Sequence, residues 1–281
     1  MPPMLFLFLA ILGQTAFGLV LRHLQRTGHN LFCAGAVNYL TCAAGNGLSV
    51  LSLGPSLPAL PTLTIGLLGG LSYVTTFFLF ASAMDLRGLS IAAALARLSV
   101  IIPILFSILL WREHPNPYQA IGIAFGLASL ALLSLHPGGG HVLPRPVPIL
   151  LGVFLLNGGC VLAIKAFEEM GPPQQSALFL FILFGTAAAA STTIWLSLRP
   201  SFSRGDILWG IVLGASNLVG NVFLLWSLHV LPGVVVFPIS SSLGLLLTVI
   251  LVSAFWREEL HRPALIGIAL AVVAIVLIKL K

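Results

Sequence analysis

One basic side chain lies deep inside an apolar stretch of the sequence. Arg97 stands near the middle of the segment 88–110. A guanidinium stays ionised at physiological pH, and its planar fork of N–H donors matches a carboxylate or a phosphate. Arg97 is therefore a candidate anion-binding residue. The alternative is a structural role, in which Arg97 binds carbonyls of a broken helix or pairs with a carboxylate on another span.

Six uncharged polar side chains inside apolar stretches are further candidate substrate contacts. An unpaired amide in lipid is costly, so each must face protein, water or substrate. Asn217 and Asn221 stand one helical turn apart and share a face. The alternative is interhelical hydrogen bonding, which contributes about 0.6 kcal/mol per pair. The predicted substrate-binding residues are Arg97, Gln14, Asn38, Tyr73, Asn157, Asn217 and Asn221.

The remaining ionisable residues give little sign of catalysis or metal binding. All seven acidic residues fall at the ends of apolar stretches, and Glu113 and Glu258 are expected to pair with basic residues or to end their helices. The sequence has no Gly-x-x-x-x-Gly-Lys loop for a nucleotide, and its histidines and cysteines lack ligand spacing. We therefore expect no enzyme, no cofactor and no metal. His229, at a span end, is a candidate carrier of a coupling proton.

The composition requires a lipid environment. Of 281 residues, 58% are hydrophobic and 7% are charged, whereas about a quarter of an ordinary soluble domain is charged. This balance excludes a soluble enzyme and a disordered chain. The net charge of +6 comes from Arg and Lys residues scattered at span ends, where membrane proteins keep them. The expected partner is thus the lipid bilayer and not a nucleic acid.

Polar and Pro/Gly breaks divide the chain into ten apolar stretches. Each is long enough to cross a hydrocarbon core about 30 Å thick, and lipid requires that such segments be helices. The predicted fold class is therefore an all-α integral membrane protein with ten transmembrane helices. The predicted spans are 4–21, 31–50, 62–84, 88–110, 118–136, 148–167, 175–198, 206–229, 233–255 and 264–280.

The two halves of the sequence repeat one another. A shift of 145 residues aligns them without a gap from Gly66 onward, and 18 of the 70 pairs between 66–135 and 211–280 are identical. Each half holds five spans, an odd number, so the halves are predicted to be inverted five-helix repeats. The predicted domains are a first repeat at 1–136, a linker at 137–147 and a second, inverted repeat at 148–281.

Inverted repeats favour transport. When two equivalent halves exchange conformations, an outward-open protein becomes inward-open, and the substrate site lies near the midplane where the halves meet. Transport without a nucleotide site must use a gradient, exchange or facilitated passage. Because both halves lie in one chain, a functional monomer is expected.

These motifs resemble the ten-helix, EamA-type members of the drug/metabolite transporter superfamily. The residues that carry the resemblance include Arg97-Leu98-Ser99, Pro103, Glu113, Gly122, Pro238-Ile239-Ser240, Glu258 and Gly267. The resemblance implies that spans one to four and six to nine line a central cavity, with five and ten peripheral. Such transporters carry amino acids, sugars, nucleotide sugars, phosphorylated metabolites or drugs, so the resemblance does not fix the substrate.

The predicted function is secondary transport, by alternating access, of a small polar metabolite that bears a carboxylate or phosphate, across the inner cell membrane. A lipid or lipid-linked-sugar flippase and a non-transporting membrane scaffold are the alternatives. The orientation stays open: the basic residues at span ends place both termini outside by the positive-inside rule, whereas the resemblance implies cytoplasmic termini.

Overall fold

The described part of the protein is all-helical, as the sequence predicts. The computed structural model describes residues 3–54, 56–87, 96, 98–134, 147–198, 201–256 and 262–279, and these contain ten α-helices and no β-strand. The helices are α1 Pro3–Arg26, α2 Leu31–Leu53, α3 Leu60–Arg87, α4 Ile101–Leu109, α5 Pro117–Ser134, α6 Val147–Met170, α7 Ser176–Leu198, α8 Arg204–Leu228, α9 Gly233–Trp256 and α10 Arg262–Lys279. A single 3-10 turn, Pro173–Gln175, precedes α7.

Five of the described helices are long and apolar enough to cross a membrane. By length and composition these are Met4–Arg26, Leu60–Phe80, Leu151–Met170, Pro173–Leu198 and Arg204–Leu228. Gly233–Gly244 and Ile266–Ile278 are shorter apolar helices. The chain is thus a multi-pass membrane protein, while the full number of ten spans stays a prediction. Most of the predicted linker 137–147 lies outside the described residues.

The helices group into two compact units, and each unit draws on both halves of the sequence. Unit 1 is Met1–Phe77 with Ala163–His229, and unit 2 is Phe78–Leu162 with Val230–Lys281. In unit 1, α1 packs against α8, and α2 packs against α7 and α8. In unit 2, α5 packs against α10, and α9 packs against α4, α5 and α10.

Glycines set two close helix crossings in unit 1. A Cβ atom on Gly214 of α8 would lie 2.6 Å from the Asn38 carbonyl oxygen and from the Thr41 Cβ of α2. A Cβ atom on Gly70 of α3 would meet the Leu183 carbonyl oxygen and would lie 2.7 Å from the Thr186 Cβ of α7. A shift of 145 residues relates Asn38 and Thr41 to Leu183 and Thr186, while Gly70 and Gly214 are 144 residues apart. The same pair of contacts therefore occurs twice, between α2 and α8 and between α7 and α3.

Two amide side chains join the loops of unit 1. Asn30 accepts from amides at the start of α2 and donates through Nδ2 to the Ser201 carbonyl at 2.8 Å. Gln175 accepts from the Ala59 amide at 2.9 Å and donates to the Leu57 carbonyl at 2.9 Å. Asn30 and Gln175 are again 145 residues apart. One amide thus ties the α1–α2 loop to the α7–α8 loop, and the other ties the α2–α3 loop to the α6–α7 loop.

Glu113 has a role that the sequence did not indicate. Its Oε1 accepts from the Gly233 amide at 2.9 Å, and its Oε2 accepts from the Val234 amide at 2.8 Å. The carboxylate therefore caps the N-terminus of α9, where unpaired amides and the helix dipole both favour a negative charge. The Glu113 side chain thus begins a helix that is distant in sequence, while its backbone amide donates to the Ser107 carbonyl of α4 at 3.0 Å. Glu258, its counterpart in the repeat, lies outside the described residues.

The α2–α8 crossing provides a test of helix packing. We expect Gly214→Ala to lower the free energy of unfolding by about 1–3 kcal/mol, because the added methyl meets backbone and Cβ atoms that cannot move away independently. Gly185→Ala in α7 is the control, because a Cβ there meets nothing within 4 Å and alanine favours the helix by up to about 1 kcal/mol. Melting curves in detergent should separate the two variants; equal melting temperatures would contradict the tight crossing.

Candidate substrate-binding site

Four of the seven predicted substrate contacts form one hydrogen-bonded chain inside unit 1. The Tyr73 hydroxyl donates to Asn221 Oδ1 at 2.6 Å. Asn221 Nδ2 donates to Asn217 Oδ1 at 2.6 Å, and Asn217 Nδ2 donates to Asn38 Oδ1 at 3.1 Å. This amide chain of Tyr73, Asn221, Asn217 and Asn38 joins α3, α8 and α2.

Burial increases along the amide chain from Tyr73 to Asn38. Tyr73 is only partly buried, Asn221 and Asn217 are each 8% exposed, and Asn38 is fully buried. The three asparagines thus bond to one another between α8 and α2, which is the contact expected of the alternative, interhelical role. Tyr73 is the member of the chain with the most exposure.

The buried end of the amide chain has an unused donor. Asn38 Nδ2 has no hydrogen-bond partner among the described residues, although Asn38 Oδ1 accepts from Asn217. A buried N–H group without an acceptor costs about 1–3 kcal/mol. The side chain of Asn38 is therefore oriented by the hydrogen bond that its Oδ1 accepts from Asn217.

Buried aromatic rings hold Tyr73 in place. The ring of Tyr73 meets the ring of Phe184 edge to face, with centroids 5.5 Å apart. The Tyr39 hydroxyl donates to the Tyr73 main-chain carbonyl at 2.9 Å, and the Tyr39 ring stacks on Phe184 at 6.4 Å. Phe184 is fully buried. The ring of Tyr73 therefore has a fixed neighbour behind it while its hydroxyl meets Asn221.

Gln14 of α1 packs beside α8 close to the amide chain but is not part of that chain. A Cβ atom on Gly220, the residue before Asn221, would lie 3.2 Å from the backbone nitrogen of Gln14 and 3.2 Å from its Cγ. The α1–α8 crossing thus places Gln14 one residue along α8 from Asn221. Gln14 is partly exposed, and its role as a substrate contact stays a prediction.

Asn157 belongs to unit 2 and binds the chain on both sides of the predicted anion-binding residue. Its Nδ2 donates to the Ala96 carbonyl at 2.8 Å and to the Ser99 hydroxyl at 2.6 Å. Ala96 and Leu98 are helical, but Ser99 begins a turn before α4. Arg97 itself lies outside the described residues, so the structure gives no position for its side chain.

Pro103 contributes to the interruption before α4. It is the third residue of that helix, and a proline there has no N–H to donate to the Ser99 carbonyl. The Ser99 carbonyl accepts from the Ile102 amide at 3.0 Å instead, and the Ser99 hydroxyl donates to the Ala96 carbonyl at 2.6 Å. Ser99 is not among the site residues predicted from the sequence. Its position four residues before Pro103 indicates a carbonyl that lacks its usual helical donor.

Two buried charged groups of unit 1 are paired within the protein. Lys165 is 2% exposed, and its Nζ donates to Glu168 at 2.7 Å and to Glu169 at 2.6 Å. Asp206 is 3% exposed and contacts His29 Nδ1 at 2.6 Å. An ammonium between two carboxylates has little positive field left for an external anion. Neither group therefore replaces the arginine that is predicted to bind an anion.

Comparison with known proteins supports the predicted family. Residues 1–135 match the EamA-like transporter family. An uncharacterized protein of Haemophilus influenzae is 27% identical over 156 residues, which cover 55% of this chain and 53% of that protein, so this chain matches about half the length of its relative. A solved crystal structure with 23% identity has a TM-score of 0.79 and covers 99% of this chain and 96% of its own; at that identity it establishes the fold alone. The resemblance to EamA-type transporters is confirmed.

Proposed function

We propose, from the match of residues 1–135 to the EamA-like transporter family, that this membrane protein transports small molecules. The protein is a secondary transporter for a small polar metabolite that bears a carboxylate or a phosphate. It acts in the inner cell membrane by alternating access of two inverted repeats. The family match is the observation that carries this proposal.

Repeated contacts support the inverted repeats. Gly70 packs on Leu183 and Thr186, as Gly214 packs on Asn38 and Thr41, and the partners are 145 residues apart while the glycines are 144 apart. A two-fold relation between halves produces reciprocal contacts of this kind. The loop contacts support an inversion. Asn30 ties the α1–α2 loop to the α7–α8 loop at one end of α2, and its counterpart Gln175 ties the α6–α7 loop to the α2–α3 loop at the other end. The equivalent α1–α2 and α6–α7 loops therefore lie at opposite ends of α2. Ten spans in two five-helix halves account for all of these contacts.

The interruption before α4 supports a substrate site near Arg97. Broken helices line the binding sites of many transporters, because their freed backbone groups and nearby side chains can contact the substrate. Asn157 and Ser99 hold the chain on both sides of Arg97. In this proposal the Arg97 guanidinium binds the anionic group of the substrate, while Asn157 positions the backbone that carries it.

The remaining predicted substrate contacts stay part of the proposal. They are Gln14, Tyr73 and the asparagines of the amide chain, and all of them lie in unit 1. His229, which follows the last residue of α8, is the candidate for a coupling proton. One chain supplies both repeats, so the monomer is the proposed functional form.

Uptake into proteoliposomes tests this function. A thermal-stability screen with carboxylates and phosphates first selects a compound that stabilises the purified protein, and the labelled compound is then offered to vesicles with and without the protein. We expect saturable uptake that an excess of unlabelled compound abolishes. Stabilisation without uptake in either direction would contradict transport and favour a membrane scaffold.

A further inference from the structure

We propose that His29 and Asp206 form a pH-sensitive latch, which holds the α1–α2 loop to the start of α8 more firmly when His29 is protonated. Both residues belong to unit 1. Their contact lies at the start of α2, and the repeat supplies no titratable counterpart at the other end of that helix. The hydrogen bonds around Asp206 and the residues that replace the pair in the repeat carry this inference.

The end of α1 places His29 beside α8. Gly28 has a φ of 69°. The His29 amide donates to the Leu24 carbonyl at 3.0 Å, and the amide of the glycine before it donates to the Gln25 carbonyl at 3.3 Å. These two bonds form a Schellman motif, which ends a helix with a glycine in the left-handed region. The chain therefore leaves α1 in a fixed direction, and His29 is the first residue after the glycine.

Asp206 collects three donors at the start of α8. Its Oδ1 accepts from His29 Nδ1 at 2.6 Å and from the Asn30 amide at 3.1 Å. Its Oδ2 accepts from the Ser203 amide at 2.6 Å. Unpaired amides and the helix dipole favour a negative charge at this position. Asp206 is therefore a buried anion that α8 holds in place, and the α1–α2 loop contacts it through the His29 ring.

This contact determines which nitrogen of the His29 ring gains a proton. An ionised carboxylate only accepts, so Nδ1 carries the hydrogen that it donates to Asp206 in both charge states of the ring. The proton that charges the ring therefore binds at Nε2. The His29 side chain is 21% exposed, so this proton can come from water.

Protonation changes the strength of the latch. A hydrogen bond between two charged groups is roughly twice as strong as one between neutral groups. Histidine is the side chain whose charge ordinarily changes between about pH 5 and 8. The contact between His29 and Asp206 is therefore expected to strengthen as the pH falls through this range and to weaken as it rises.

His23 is the other histidine near the latch. Its ring packs on the Trp209 ring with centroids 4.4 Å apart and lies 6.4 Å from the His29 ring. A charge on His23 opposes one on His29, but from a greater distance than the 2.6 Å contact with Asp206. Arginines keep their charge and thiols ordinarily titrate above this pH range. The remaining such groups of the packed elements are Arg22 and Arg26 of α1, Cys33 of α2 and Arg204 of α8, while Arg199 lies outside the described residues.

The repeat keeps the amide tie but not the titratable pair. A shift of 145 residues relates His29 to Gln174 and Asp206 to Pro61. The tie that Gln175 makes at the other end of α2 uses only neutral groups, namely backbone groups and one threonine hydroxyl. One end of α2 is therefore attached through a charge that depends on pH, and the other end is attached without one.

Nitrogen NMR of ring-labelled histidine tests the geometry in the wild-type protein. The chain has seven histidines, and single His→Gln variants assign their signals. For His29 in its neutral form, we expect the hydrogen on Nδ1, which is the minor tautomer of free histidine. A neutral His29 with its hydrogen on Nε2 would overturn the latch, because Nδ1 would then have nothing to donate to Asp206.

Melting curves in detergent test the pH dependence. His29→Gln keeps a donor for the carboxylate but cannot become charged. We expect this variant to melt roughly 2–4 °C below the wild type at about pH 5.5 and within about 1 °C of it at about pH 8. In a chain that already carries Asp206→Asn, His29→Gln should have no further effect, because the two residues act through one contact. An equal gap between wild type and His29→Gln at both pH values would overturn the latch.

Three variants serve as controls for the melting curves. His114→Gln makes the same change at an exposed histidine of the α4–α5 loop and should match the wild type at both pH values. Gln175→Ala breaks the neutral tie and should lower the melting temperature equally at both. If His23→Gln removes the pH dependence while His29→Gln keeps it, the latch is overturned and the sensor is the ring on Trp209. None of these measurements uses a substrate, so a failure of the transport proposal would leave their outcome unchanged.

Discussion

Cysteines placed at Thr27 and Gln174 are expected to react with a membrane-impermeant maleimide from opposite sides of the membrane. Both residues are exposed in the structure, and each precedes the second helix of its half. Five predicted spans, an odd number, separate the two positions. The expected effect is nearly all-or-none, because the reagent reaches an exposed thiol on its own side and is excluded from the other. Labelling of right-side-out and inside-out vesicles is the measurement.

The protein supplies its own controls for this labelling. The native residues Cys33, Cys42 and Cys160 are buried, so the unsubstituted chain should react little. Ser201→Cys should react from the same side as Thr27→Cys, because the Asn30 side chain ties the two loops together. Reaction of Thr27→Cys and Gln174→Cys from the same side would contradict inverted repeats. The same vesicles identify the cytoplasmic face and so decide between the two predicted orientations.

The sequence predicted helices well because lipid leaves the backbone few alternatives. The predicted span 206–229 corresponds to α8, Arg204–Leu228, and its start is fixed by Ser203 and Asp206, which form a capping box. The segment 88–110 was less predictable. Its apolar composition indicates one span, but the described residues show a turn at 99–100 before α4. Pro103 alone does not specify where the chain bends, because the bend also depends on Asn157 from a distant helix.

The candidate site was predictable in its parts but not in its connections. The four-residue spacing of Asn217 and Asn221 places both on one helix face, and the structure joins them by hydrogen bonds. Their partners Asn38 and Tyr73 could not be paired with them from the sequence, because the Asn38 contact depends on the close α2–α8 crossing at Gly214 and the Tyr73 contact depends on where α3 packs. The direction of the hydrogen bonds depends on one backbone carbonyl and is likewise absent from the sequence.

Which helices form each compact unit could not be predicted from the sequence. Identity at a spacing of 145 residues indicates which segments are equivalent, but two equivalent copies can pack side by side or exchange helices. In unit 1, α1 and α2 from the first half pack on α7 and α8 from the second. Small residues such as Gly214 permit this packing, yet similar glycines occur throughout the chain and do not indicate which helix each of them contacts.

Arg97→Gln is expected to lower the affinity for an anionic substrate by roughly a hundredfold. The guanidinium would bind a carboxylate or phosphate through two charge-assisted hydrogen bonds, and losing that pair costs about 3 kcal/mol. Arg97→Lys should be intermediate, because an ammonium keeps the charge but loses the planar fork. Uptake and thermal stabilisation by the compound selected in the carboxylate and phosphate screen measure both variants. Arg204→Gln, the same change at an exposed residue of α8, should behave as the wild type.

The value of this experiment depends on folded variants, so each needs an elution profile and a melting curve that match the wild type. If Arg97→Gln is folded and transports the anion normally, Arg97 does not read the substrate. If it aggregates in detergent while Arg97→Lys stays folded, the arginine holds carbonyls of the interrupted segment, as the contacts of Asn157 on either side of it would allow. If the wild-type protein transports only cations, Arg97 cannot be explained as an anion-binding residue. The carboxylates Asp85 and Glu113 would then be the candidate substrate-binding groups.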